Sequence, residues 1–272
     1  DGQPGRPAPG DGIAGGSPLA SPSFRGGRKT EKMSHQVEVA AGGPIVILGG
    51  FLSFSMLYAE MRDSLAQITG QPVWIVETRS LDWVPCIGPL GWTFLLRKLD
   101  DAVRQAVRQS ATGQVTLVGH SAGGVLARIY LSPRPFMGRA YRGLDLVEHL
   151  ITLGSPHYNQ RRSLHGGRMS RWVEKRYPGA FFAPRVEYTS VAGRLLQGNR
   201  EGSLRERHAH VFYEEIVGRG DVWGDGLVPV SSALLQGSRQ IVLDGVSHFT
   251  GFGGPWYGAA EVIPQWWCGD AG

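Results

Sequence analysis

The stretch "VGHSAGGVLARIYL", Val118 to Leu131, constrains this chain more than any other. It sets Ser121 between Gly119 and Gly123, two residues to either side. Such spacing arises by chance in a chain with 40 glycines among 272 residues, so the context decides its meaning. Upstream, "QVTLVGH" (Gln114 to His120) is apolar and β-branched, the pattern of a short buried strand. Downstream, Val125, Leu126, Ile129 and Tyr130 recur at helical spacing. A serine at so tight a strand-to-helix turn sits in a strained backbone region, and side chains two positions away would collide. The turn lifts a hydroxyl above the carboxyl edge of a sheet, over a helix N-terminus.

The same strand-then-helix alternation runs along the chain. Gly42–Phe51, Pro72–Thr78, Val147–His157, Arg185–Arg194 and Ser238–Phe252 each contain a buried strand with its exit loop. Helices are expected over Tyr58–Ile68 and Thr93–Arg108. This pattern predicts an α/β class with a mostly parallel central sheet and helices on both faces. Residues 35–272 fit one domain with a small cap or insertion within 155–210. Residues 1–34 are dominated by Gly, Pro, Ser and Ala and are expected to be a disordered N-terminal extension. It lacks the apolar core of a secretory signal. Its arginines and serines leave organelle targeting open, though Met33 as the true start is the simpler expectation. No run of 18 apolar residues exists, and Cys86 and Cys268 are too few for a disulfide framework. The expected location is cytoplasmic, with peripheral membrane contact as an option.

A lone serine is a weak nucleophile and needs a base and an orienter. His248, in "VLDGVSHFTGF", follows the last strand, where the base belongs. The acid is expected at Asp225, between two glycines in "GRGDVWGDGLVPVSSA". Asp221 is the alternative, and Asp244 lies too near the end of its own strand. An oxyanion needs two backbone donors. Ala122, just after the nucleophile, supplies one, and Phe51 in "LGGFLS" the other. Gly49, Gly50, Leu52, His120, Pro156 and His157 are expected to line the substrate pocket. His208 and His210 in "RERHAH" read as solvated surface rather than metal ligands, and neither metal nor cofactor is expected.

Four separate segments then agree. "GHSAGG" matches a nucleophile elbow, and "ITLGSPH" looks like the Thr-Leu-Gly-(Ser/Thr)-Pro-His stretch of lipases. "GDGLVPVSSA" is similar to their acid loop, and "SHFTGF" occupies the histidine loop. Over about residues 42 to 256 the chain resembles the lipase and esterase branch of the α/β-hydrolase superfamily. It is also similar to lipase-like hydrolases of photosynthetic organisms and, more remotely, to deacylases of glycosylphosphatidylinositol anchors. One departure is Leu48 before Gly49, where many lipases carry a histidine. The resemblance implies a serine carboxylic-ester hydrolase, a lipase or lipid acyl hydrolase. A thioesterase or acyltransferase on the same triad, and a non-catalytic lipid-binding homologue, are the alternatives.

Residues 157–210 hold eleven Lys/Arg, among them Arg161, Arg162, Arg168 and Arg171, against four Glu, a net +7. Trp172, Tyr177, Phe181 and Phe182 interleave with them. Such a segment suits an anionic membrane surface; a solvated basic face is the plainer reading. No nucleic-acid-binding motif accompanies it. Oligomeric state is left open.

Overall fold

The computed structural model describes Gly2 and residues 43–160 and 167–267. The rest of the N-terminal extension, Arg161, Arg162 and Cys268 lie outside the described residues. The sheet has six parallel strands in the order β2-β1-β3-β4-β5-β8. These are β1 (Ile45–Leu48), β2 (Val73–Ile75), β3 (Val115–His120), β4 (Val147–Leu153), β5 (Glu187–Arg194) and β8 (Arg239–Asp244). A separate antiparallel ribbon pairs β6 (Leu196–Gln197) with β7 (Trp223–Gly224).

Alternation along the strands divides the core into two layers. Val46, Leu48, Leu117 and Leu150 face one side, under α2 (Pro89–Val107), α3 (Ala122–Tyr130) and α5 (Gly167–Arg176). Ile45, Ile47, Val118, Ile151 and Leu153 face the other, under α1 (Ala59–Thr69) and α8 (Ile263–Trp267). Both faces of the sheet are covered, so β1 ("IVIL") is fully buried. Each such side chain contributes about 1.5–3 kcal/mol of burial. In α2 the buried positions Trp92, Leu95, Leu96, Leu99, Val103 and Ala106 recur at helical spacing. That helix begins four residues before the expected Thr93, with Pro89 in its first turn, where its missing N–H costs nothing.

The remaining helices are α4 (Gly143–Leu146), α6 (Leu204–Val217) and α7 (Val230–Ala233). The polar stretch around His208 and His210 belongs to α6. Ser203 and Glu206 close a capping box at its start, and Gly218 caps its end at φ 76°. His208 is exposed, but His210 is buried and receives Arg200 Nε at 3.2 Å, which corrects the solvated reading for that residue. Among the described residues no cluster of three or more His, Cys, Asp or Glu could hold a metal ion. Within 155–210, α5 packs Met169 and Val173 into the core, and β5 is a full strand of the sheet. Arg128, on α3, is buried and bonds Glu174 at 3.0 Å, fastening α5 down. Phe182 also packs on the core, whereas Phe181 is exposed.

Strand register sets the geometry of one edge. Leu48 pairs with Gly119, His120 with Leu153, and Leu153 with Val191. The carboxyl ends of β1, β3, β4 and β5 therefore lie side by side. The chain leaves β1 for β2 on one side and returns to β3 on the other, the strand-order reversal beyond which open parallel sheets bind their ligands.

Candidate active site

Ser121 sits at φ 53°, ψ −127°, a left-handed φ that disfavours any side chain. Its N–H continues the sheet ladder to the Leu153 carbonyl at 2.9 Å, and α3 starts at the next residue. The flanking glycines are required by close approach. A Cβ on Gly119 would stand 2.5 Å from the Gly124 α-carbon; one on Gly123 would stand 2.4 Å from the Gly49 carbonyl oxygen. Any larger residue pushes α3 away from β3 or from the end of β1.

His248 Nε2 lies 3.0 Å from Ser121 Oγ, and His248 Nδ1 lies 2.7 Å from Asp225 Oδ2. Three residues spaced over 127 positions thus form one hydrogen-bonded chain. The β6–β7 ribbon delivers the acid, because it folds Gly224 back onto Leu195 just beyond β5. Asp225 is buried, and its Oδ1 accepts the Leu227 and Val228 amides at 3.0 and 2.7 Å. Its Oδ2 accepts the Tyr257 hydroxyl at 2.8 Å as well as His248. Burial and the adjacent carboxylate push the Tyr257 phenol well above its usual range, so it remains a donor. Asp221 is exposed and paired with Arg219, and Asp244 is exposed and paired with Arg194; neither takes part.

The chain after β1 closes against the nucleophile. A Cβ on Gly50 would stand 2.6 Å from Ser121 Cβ, and one on Gly49 would meet Ser53 and Tyr58. Ser53 donates from both N and Oγ to the Gly50 carbonyl, closing a turn with Leu52 at φ 58°. The Gly50 N–H is already spent on the Tyr58 hydroxyl at 2.9 Å. The next amide is that of Phe51, whose ring packs edge-on to Trp83. Across the cleft, the Ala122 N–H opens α3, where no earlier turn offers an acceptor.

Two expected pocket residues lie elsewhere. His120 and His157 are fully buried, so neither lines an open pocket. His157 accepts from Arg128 Nη1 at Nδ1 (3.3 Å) and donates from Nε2 to Thr152 (3.0 Å), wedging the loop after β4. His120 bonds Tyr58 at Nδ1 and the His248 carbonyl at Nε2. Pro156 is half-buried, and Leu52 is half-exposed at the rim. The residues not foreseen are Tyr58, Tyr257 and Tyr213, whose hydroxyl takes the Gly226 amide at 2.8 Å. No sequence motif marks them, because each hydroxyl meets its partner only through the fold.

Burial holds both His120 and His157 well below the ordinary histidine value of 6.5; His248 adds to this at the first, and Arg128 at the second. In the unfolded chain both titrate near 6.5, so just below that pH the unfolded state binds more protons. Their contribution to stability is complete above about pH 6.5 and is lost on acidification, at up to about 1.4 kcal/mol per pH unit for each. The thermal midpoint is expected to fall between pH 7.5 and 5.5. A flat profile would show that these rings are not held neutral.

Residues 95–172 match the family model of the PGAP1-like alpha/beta domain. The lipase BlEst2 of Bacillus licheniformis, in its mature form, superposes with a TM-score of 0.55 at 16% identity. That match covers 79% of this chain and 88% of the lipase. Lipase B of Aspergillus fumigatus aligns over 61% of this chain and 41% of its own, at 12% identity and a TM-score of 0.41. Among curated proteins, no sequence matches this chain. The parallel sheet, its strand-order reversal and the structural match agree: the chain has the α/β-hydrolase fold found in lipases and esterases.

Proposed function

We propose that this chain is a serine carboxylic-ester hydrolase acting on acyl lipids. One observation carries the reading: the continuous Ser121–His248–Asp225 hydrogen-bond chain with its serine on the strained turn. Asp225 accepts a hydrogen bond from the Nδ1–H of His248, so Nε2 is free to take the proton of Ser121 as Oγ attacks the ester carbonyl. The imidazolium then protonates the leaving alcohol, and water repeats the sequence on the acyl-enzyme. In this reading the Phe51 and Ala122 amides are the oxyanion donors, and the Gly50 N–H is bound to Tyr58. These steps use only groups of the chain itself. The test is labelling with a fluorophosphonate probe, followed by mass spectrometry of the modified peptide. Modification at Ser121, with turnover of p-nitrophenyl esters, is expected. A folded protein that shows neither overturns the reading.

Lipid as the substrate class is supported by the surface around the loops after β1 and β2. Phe54, Met56, Leu57, Leu81 and Val84 are exposed there. Phe54, Met56 and Phe94 line an open groove of about 510 Å³, with Arg79 and Lys98 among its polar walls. These apolar side chains suit an acyl interface better than the basic segment, where Phe182 is turned into the core. Among the described residues no helix is long and apolar enough to cross a membrane. Changing Phe54 and Met56 together to Ser is expected to lower turnover of a vesicle-borne ester about tenfold. Hydrolysis of a short soluble ester is expected to stay within twofold. Equal losses on both substrates would remove the interfacial role.

A further inference from the structure

His120 precedes the nucleophile in the chain and lies fully buried behind the site. Both ring nitrogens are engaged. Nε2 lies 3.2 Å from the His248 carbonyl oxygen, and Nδ1 lies 2.8 Å from the Tyr58 hydroxyl. A carbonyl oxygen only accepts, so Nε2 carries the proton. Nδ1 therefore accepts, and Tyr58 donates to it. The phenol oxygen in turn accepts the Gly50 N–H at 2.9 Å. Every direction in this relay is fixed by its two ends, a backbone donor and a backbone acceptor.

The two ends belong to different parts of the site. Gly50 begins the turn that leads to Phe51 and abuts Ser121 Cβ. The His248 carbonyl belongs to the loop that aims the imidazole. We infer that Tyr58 and His120 are positioning residues that tie the oxyanion turn to the loop of the catalytic base. The inference rests on the hydrolase reading above. Burial keeps His120 neutral and pushes Tyr58 up to about 12, so the relay keeps one protonation pattern over the working pH range. Trp256 packs against both rings at 5.8 and 5.9 Å.

That packing makes a purely structural role the rival explanation. Tyr58→Phe separates the two, because it keeps the ring and deletes only the hydroxyl that serves both neighbours. His120→Gln can retain a donor toward the His248 carbonyl while offering no acceptor at the Nδ1 position. The measurement is kcat and KM for a soluble ester in the parent, both single variants and the double variant. Rates are expressed per site titrated with fluorophosphonate, so that loss of folded protein does not count. Y58F is expected to lower kcat per site about tenfold, with KM within twofold. H120Q is expected to do the same, and the double variant to be no more than about twofold worse than the poorer single, since each breaks one link. Parent kcat per site in Y58F overturns the inference, as do effects that multiply to about 100-fold in the double variant. If H120Q does not fold, Y58F alone decides by the same criterion. A parent that neither labels nor turns over ester defeats the hydrolase reading instead, so the two failures are distinguishable.

Discussion

Ser121→Ala is expected to lower kcat about 10⁶-fold, the loss typical of removing the nucleophile from a working triad. Among the described residues Ser121 is the group placed to attack, since His248 Nε2 points at its Oγ and Asp225 is occupied by four donors. A residual rate about 10³–10⁴-fold above the uncatalysed reaction is expected to persist, because the Phe51 and Ala122 amides and the cleft remain. Ser121→Gly loses the same activity but differs in stability. At φ 53° alanine keeps the backbone strain and glycine removes it. Such strain is on the order of 1–3 kcal/mol, and 1 kcal/mol moves the midpoint of a chain this size by about 2–4 °C. The glycine variant should therefore melt several degrees above the alanine variant. Kinetics beside calorimetry check both halves, and a Ser121→Ala protein with more than a few per cent of parent activity would refute the assignment of the nucleophile.

Asp225→Asn is expected to lower kcat about 10⁴-fold, through the wrong histidine tautomer rather than through misfolding. The Leu227 and Val228 amides point at Oδ1, so an asparagine would turn its oxygen toward them. Its NH₂ group would then face His248 Nδ1, which must become an acceptor. The imidazole proton moves to Nε2, and no base is left for the hydroxyl of Ser121. Tyr257 loses its acceptor in the same exchange, since its hydroxyl donates to Oδ2. The companion changes Asp221→Asn and Asp244→Asn are expected to leave kcat within twofold, because both carboxylates lie outside the site in exposed ion pairs. Steady-state kinetics on all three proteins discriminates the acid. A large loss in either companion, with Asp225→Asn unaffected, would reassign it.

Features of the site that depend on a few neighbouring residues were legible. The buried run of β3, the glycines about Ser121 and the helical spacing after it specify the elbow together. Steric exclusion between adjacent backbones acts over that short range, and Gly119 and Gly123 show it directly. Chain order and loop position likewise singled out His248 and Asp225. The N-terminal turn of α6 was missed, because the polar composition around His208 and His210 hid the Ser203–Glu206 capping box.

The sequence by itself therefore determined a parallel α/β sheet with one serine raised at its carboxyl edge and an acid and a histidine on later loops. It could not determine which polar groups meet. His120 ends β3 and His157 follows β4 in a loop, and both are fully buried, held by partners 62 and 29 positions away. Tyr257 reaches Asp225 across 32 residues, and Tyr58 reaches Gly50 across eight, by way of a buried hydroxyl. Only the tertiary structure decided these pairings. A hydrogen bond fixes its partner to within a few tenths of an ångström, and that precision comes from strand alignment and packing, not from the identity of either residue.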